Sequence, residues 1–258
     1  MKSMKKCYIV GAGDFFGNIT PCEDDLVIAA DGGFDRLLSL GIVPDILVGD
    51  FDSLADKAVL GESFTDKASY RVENCKTKET SFCENDINQP MLRVKKCDGE
   101  DAECLLISGK CVEAFRHPVM KDETDMYLAY KIGAERGYAD FELYGGVGGR
   151  EDHTFANYCL LLRAKNDKND MTLIGNGTKT FVIKNEKKRI FGKCGATVSA
   201  FAFGSDAKGV TISGLKYEAD GVTLDVARPL GVSNSFLSSG EGEISVIDGA
   251  LLVTVFER

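Results

Sequence analysis

The chain has 258 residues, 31 Lys and Arg against 40 Asp and Glu, a formal net charge of −9 and 44% hydrophobic residues. That length and composition allow a well-packed core without covalent staples, and the acidic balance with no long basic run excludes duplex nucleic acid as a main partner. The basic start at residues 1–6 is followed by neither an apolar run of membrane length nor a cleavage pattern, so no membrane span and no targeting segment are expected. Nine cysteines, an odd number without CxxC pairs or a tetrahedral zinc spacing, fit reduced thiols in a cytoplasm.

Cys7 to Val10 form a short β-branched and aromatic run that ends in Gly11, Ala12 and Gly13, as a strand opening an α/β sheet does. Its glycine spacing, GxGxxxG, differs from the dinucleotide fingerprint GxGxxG. Leu26 to Ala30 predict a second strand, ending in Asp31, Gly32 and Gly33 before a short helix with Phe34, Leu37 and Leu38 on one side. Gly41 closes that helix and Pro44 prevents its return. A third strand, Ile46 to Val48, runs into Gly49, Asp50, Phe51, Asp52 and Ser53.

Glycine or aspartate thus stands at three successive strand ends, where open parallel sheets bind ligands. Asp50 and Asp52 are two apart and on an extended strand point the same way, which suits two oxygens on one hard cation. An isolated DxD is more often a solvated turn; the clustering of such ends points to a site. An acidic protein handling a polyanion needs a metal to bridge the repulsion.

Residues 55–119 read as an insertion. Within it Asn74 to Gln89 form a polar loop, five cysteines lie between Cys75 and Cys111, and Leu105 to Ile107 with Val112 to Phe115 predict a β-hairpin. Lys121 to Asp125 then open a helix with Met126, Ala129, Tyr130 and Gly133 on its apolar face. Asp122 is its expected N-cap, with Asp125 three residues on.

Phe141 to Tyr144 predict a strand that enters a turn with glycines at 145, 146, 148 and 149, which can approach a ligand closely. A helix from about Asp152 to Lys165 follows. Asp152 is its expected N-cap, His153 and Asn157 share one face, and Arg150 offers a planar fork suited to phosphate. Met171 to Ile174 predict the last strand of a first domain, 1–175. In a second domain, 176–258, short alternating runs predict an antiparallel β-sandwich, with Asp220-Gly221 and Asp248-Gly249 as hairpin turns.

The set ADGG (Ala30 to Gly33), GDFDS (Gly49 to Ser53), KDETD (Lys121 to Asp125), GGRxDH (Gly148 to His153), GLKY (Gly214 to Tyr217) and GVSN (Gly231 to Asn234) resembles thiamine pyrophosphokinase, in order and across both domains. The resemblance implies a Rossmann-like α/β domain with a mostly parallel sheet, an all-β antiparallel sandwich, and a homodimer with active sites between subunits. It also implies transfer of a diphosphoryl group from ATP to thiamine. Carried over by motif, Asp50, Asp52 and Asp125 hold Mg²⁺. Asp31, Gly32 and Gly33, with Lys121 and Asp122, line the nucleotide side, while Ser233 and Asn234 sit at the thiamine end.

The chain has no tryptophan, which some members place near the thiamine ring; Phe236 is the expected substitute and Tyr217 the second candidate. Arg150 is expected to stabilise charge on the transferred group, and Lys121 to pair with a phosphate. The base is Asp152, a metal-side aspartate such as Asp52 or Asp125, or His153, since imidazoles as a class titrate near neutral pH. A structural hydrogen bond is the alternative role for His153. Other readings keep the chemistry with a different hydroxymethyl heterocycle such as a pterin, or make Asp50 the nucleophile of a metal-dependent phosphatase. A last one is a thiamine-binding module without catalysis.

Overall fold

Runs of β-branched and aliphatic residues become strands covered on both faces in one part of the chain and on one face in another. The computed structural model describes residues 5–49, 95–96, 102–107, 110–116 and 123–257. Its contacts divide into two compact units, one of residues 9–12 and 25–136, the other of residues 1–8, 13–24 and 137–258. β1 (Lys6–Val10) has residues in each.

In the first unit β2 (Leu26–Ala30) and β3 (Ile46–Gly49) run parallel, with Ile28 opposite Ile46 and Ala30 opposite Val48. Every residue of both strands is buried, as parallel strands require when helices cover them. α1 (Gly33–Ser39) packs on β2, and α2 (Asp125–Glu135) packs on both β2 and β3. The cap of α2 is Thr124, whose Oγ1 accepts the Tyr127 N–H at 3.2 Å from an extended backbone at φ −75° and ψ 153°. The expected Asp122 cap is therefore corrected to Thr124, the residue that adjoins the first helical turn.

The hairpin expected before α2 is present, as β5 (Ala102–Ile107) and β6 (Lys110–Arg116), with β4 (Lys95–Lys96) on its outer side. β6 also pairs parallel with β3, Ile46 opposite Glu113, so residues 110–116 are a strand of the sheet rather than an appendage to it. The order is β2-β3-β6-β5-β4.

The second unit begins with a β-α-β segment: β7 (Asp140–Tyr144), α3 (Glu151–Asn166) and β8 (Asp170–Gly175), the two strands parallel. β8 turns directly into β9 (Thr178–Lys184) with Gly175 opposite Thr178, so the expected domain boundary falls inside a hairpin. The sheet continues from β9 through β16 (Ala250–Phe256) and β11 (Thr197–Ala202) to β14 (Asn234–Ser235). A second antiparallel sheet has the order β10 (Lys187–Phe191), β15 (Glu241–Ser245), β12 (Ala207–Ser213), β13 (Ala219–Leu224).

Phe181 and Ile183, Val198 and Ala200, and Leu251, Val253 and Val255 form one core cluster with Ile190, Val210, Ile212, Leu224 and Ile244 of the second sheet. Each large side chain so buried contributes about 1.5–3 kcal/mol, and the alternation in β16 fixes its register. Asp248-Gly249 lies between β15 and β16 as expected, but Asp220-Gly221 lies inside β13. There Gly221, at φ +62°, accompanies a register shift against β12, a bulge rather than a hairpin turn.

No described helix is long and apolar enough to cross a membrane. Lys165, near the end of α3, bridges the Asp170 carboxylate of β8 and Glu186 before β10, both at 2.7 Å. Burial opposes the charge on Lys165, but the two carboxylates outweigh it and raise its pKa. Burial likewise opposes ionisation of Asp170, and the ammonium outweighs it, so that carboxyl lies below its usual range. Lys165→Met leaves two carboxylates facing each other and is expected to cost about 1–2 kcal/mol at neutral pH, allowing for solvent screening of the half-exposed Asp170. Because the Asp170 contribution is lost as pH falls through its depressed folded value, the gap in unfolding midpoint between wild type and variant narrows below about pH 4. Urea unfolding at pH 7 and pH 3 checks this.

Candidate active site

Asp31 follows the last residue of β2 in a left-handed conformation, φ +50°, which aspartate tolerates better than most side chains. Its N–H donates to the Val48 carbonyl at 2.8 Å and its carbonyl accepts the Phe34 N–H at 3.3 Å, so the turn leads straight into α1. Gly33 is required here: a Cβ would lie 1.9 Å from the Val10 carbonyl oxygen. Gly49, the end of β3, lies against the Asp31 backbone, its would-be Cβ 3.4 Å from the Asp31 Cα. Asp125 stands in the first turn of α2, the end of a helix that favours negative charge.

Asp50, Asp52, Lys121 and Asp122 lie outside the described residues. Among the described residues, no three His, Cys, Asp or Glu side chains gather closely enough to hold a metal ion. Carboxylates such as Asp50, Asp52 and Asp125 have the oxygen chemistry Mg²⁺ takes, and the described strand end at Gly49 lies beside Asp31.

At the end of β7 the glycine turn is held by the segment after β1. Gly13 N–H donates to the Gly145 carbonyl at 2.9 Å and Asp14 N–H to the Val147 carbonyl at 2.8 Å. Asn157, buried in α3, donates Nδ2 to the Gly146 carbonyl at 2.7 Å. The shared face expected for His153 and Asn157 is therefore divided in role: Asn157 ties down the turn, and His153 is exposed. The Asp14 carboxylate lies against Gly148, so close that a Cβ there would come within 2.2 Å of Oδ2. This neighbour of the turn went unread in the sequence, where GAGDF carried only its glycine spacing.

The cap of α3 is Arg150, in extended conformation and without a side-chain cap bond. Asp152 is corrected from the cap to the first turn, where its oxygens accept from Arg150 Nε at 3.1 Å and Nη2 at 2.5 Å. The pair is exposed. The Arg150 hydrogen bonds hold the Asp152 carboxyl down to about 2 and raise the guanidinium in turn. A carboxylate that acidic is a poor proton acceptor, so its geometry suits it to orienting the arginine.

The β-sandwich unit has a cavity of about 180 Å³. Val198, Ile212 and Leu215 contribute apolar wall, Tyr217, Glu218 and Asn234 the polar groups, and the exposed Leu230 and Val232 stand at it as well. Asn234 is itself buried, and its amide clamps the loop opposite. Oδ1 accepts the N–H groups of Tyr217 and Ser235, each at 2.9 Å, and Nδ2 donates to the Tyr217 carbonyl at 2.7 Å. Ser233 is left-handed at φ +62°, with its N–H donating to Ser199 Oγ at 3.2 Å. Gly231 passes so close to β11 that a Cβ would lie 1.8 Å from the Ala200 carbonyl oxygen.

Phe236 is corrected from a stacking ring to a core residue: it is 2% exposed and belongs to the sandwich cluster. Tyr217 is 60% exposed and lines the cavity, so the ring available to a ligand is Tyr217. The structure thus gathers Asn234 and Tyr217 at one cavity, with Ser233 beside Asn234 in the chain but not lining it, Arg150, Asp152 and His153 at the glycine turn, and Asp31, Gly32 and Gly33 at a strand end.

Two family models match the chain in order: thiamin pyrophosphokinase, catalytic domain, over residues 22–91, and thiamin pyrophosphokinase, vitamin B1 binding domain, over residues 180–251. Together they cover more than half of it. A thiamine pyrophosphokinase from Bacillus subtilis is 25% identical over 262 residues, covering 97% of this chain and 98% of the relative. A crystal structure of thiamine pyrophosphokinase from Bacillus subtilis aligns with a TM-score of 0.71 at 22% identity, covering 98% of this chain and 100% of that one. One from Geobacillus thermodenitrificans aligns with a TM-score of 0.69 at 21% identity, covering 98% of each.

Replacing Asn234 removes three hydrogen bonds from a buried position. Asn234→Ala is expected to lower stability by roughly 1–3 kcal/mol and to speed amide exchange at Tyr217 and Ser235 above all. Hydrogen-exchange mass spectrometry reads both; protection unchanged at Tyr217 would contradict the clamp.

Proposed function

Because the chain belongs to the thiamine pyrophosphokinase family, we propose that it transfers the diphosphoryl group of ATP to the hydroxyl of thiamine, giving thiamine diphosphate and AMP. The ordered match of both domain models carries this reading, and the cavity at Tyr217 and Asn234 supports it as the acceptor side. The thiamine hydroxyl oxygen attacks the β-phosphorus, the bond from that phosphorus to the α,β-bridging oxygen breaks, and AMP leaves while the hydroxyl proton passes to a base. Such a transfer depends mainly on positioning and on neutralising charge.

Asp31 and the glycines after it are assigned to the nucleotide, with Lys121 and Asp122 beside the phosphates. Asp50, Asp52 and Asp125 are assigned to Mg²⁺, which when bound neutralises phosphate charge. Arg150 is held in orientation by Asp152 and offers its fork to the transferred group, exchanging one anionic partner for another. His153, exposed beside that pair, is the assigned base, with a metal-side aspartate as the alternative; Asp152 is assigned to orientation.

A homodimer with active sites between subunits is part of the proposal, and the exposed Leu230 and Val232 beside the cavity are surface that such an arrangement would cover. A cytoplasmic location is part of the proposal, and an odd count of nine cysteines without CxxC pairs fits it.

The test is AMP formation from ATP and Mg²⁺ that requires thiamine. Asp52→Asn is expected to cut turnover roughly a hundredfold or more in a folded protein, and near-normal turnover would remove Asp52 from the metal set. Asp152→Asn is expected to lower the rate but to leave the shape of the pH profile between about pH 5 and 9 unchanged, since a carboxyl at about 2 is ionised throughout that window. A limb of the profile that disappears in this variant would restore Asp152 as the base.

A further inference from the structure

The cavity in the β-sandwich unit is walled mostly by aliphatic residues, yet one acidic residue lines it. Glu218 is the only acidic or basic residue among the lining residues. Its position is set from two sides. Oε1 accepts the Gly214 N–H at 2.9 Å, and the residue before it, Tyr217, is pinned at both its N–H and its carbonyl by Asn234. A carboxylate held by this bond keeps its negative charge beside a residue that lines the cavity.

The neighbouring ring has a matching property. The Lys216 ammonium lies 5.3 Å from the centroid of the Tyr217 ring, which shows that the π-face of this ring accommodates a cation. Lys216 itself does not line the cavity. An anionic group and an electron-rich ring therefore meet at one apolar pocket, and both favour a ligand that is aromatic and positively charged.

We propose that Glu218 is a specificity-determining residue: its carboxylate selects an acceptor alcohol bearing a permanent heterocyclic cation, a thiazolium, over uncharged heterocyclic alcohols of similar size. This rests on the function proposed above and deepens it. The GLKY motif that carries the resemblance ends at Tyr217, one residue short of Glu218, so neither the motif nor the assigned site residues include it. Glu218 is exposed, so a single screened charge pair of this kind is worth roughly a two- to fivefold preference.

Glu218→Gln is the direct test, because the amide oxygen still accepts the Gly214 N–H while the charge is removed. Two competitors of thiamine-dependent AMP formation, hydroxyethyl-methylthiazole and its N-methylated cation, differ chiefly in charge. The wild type is expected to bind the cation roughly two- to fivefold more tightly than the neutral thiazole. In Glu218→Gln that ratio falls toward one and the thiamine KM rises by a similar factor, with the effect in KM rather than kcat. Glu218→Lys reverses the ratio, and equal unfolding midpoints for the three proteins exclude a folding effect. An unchanged ratio in both variants overturns the role of Glu218 while leaving the diphosphokinase reading in place. Absence of thiamine-dependent AMP from the wild type overturns that reading, and this inference with it.

Discussion

Backbone must pass backbone at van der Waals contact where this chain leaves its strands, and that constraint underlies the rest of the structure. At Gly33 the chain crosses the Val10 carbonyl, and at Gly231 it crosses the Ala200 carbonyl; in each case a single added carbon would overlap an oxygen that cannot move without breaking a strand. Glycine at these positions lets a helix start directly after β2 and lets the GVSN loop lie flat on β11. The motifs that look like scattered short words are the points where two segments share one space.

Fixed crossings of this kind make the neighbouring side chains predictable in position. Because Gly231 holds its loop on β11, Asn234 arrives under Tyr217 and spends its amide on that residue's backbone. Because Gly13 and Asp14 hold the glycine turn at the end of β7, Arg150 and Asp152 emerge together at the start of α3. These side chains are then held by hydrogen bonds made within the protein, and ordering them further costs little. The strain of left-handed Asp31 and Ser233, on the order of 1–3 kcal/mol each, is tolerated because burial in the adjacent strands supplies more than that.

Strands with continuous or alternating apolar residues are legible in the sequence, β2 and β3 as unbroken apolar runs and β7 and β16 by alternation, since each leaves a direct trace in composition. β10 is not, because Ile190 is its one buried residue and its remaining positions are charged or exposed. The bulge at Gly221 resembles a turn in sequence for a similar reason: Asp-Gly signals positive φ, and positive φ serves a bulge as well as a hairpin. In the site, residue types were readable but their partners were not. Phe236 looked like a ligand platform because aromatic character is local, whereas its burial depends on Gly192 leaving room beside its ring. Asp152 looked like a cap until Arg150 was found across it, and nothing in linear spacing distinguishes a carboxylate that caps from one that grips a guanidinium.

A diphosphokinase is defined by which phosphorus is attacked and by what. Phosphorus NMR of a reaction containing the full chain, ATP, Mg²⁺ and thiamine reads this directly. AMP and a diphosphate ester of thiamine should grow together in equal amounts, with both phosphorus atoms of the product drawn from the β and γ positions. ADP with thiamine monophosphate, or inorganic phosphate released without any ester, would contradict it.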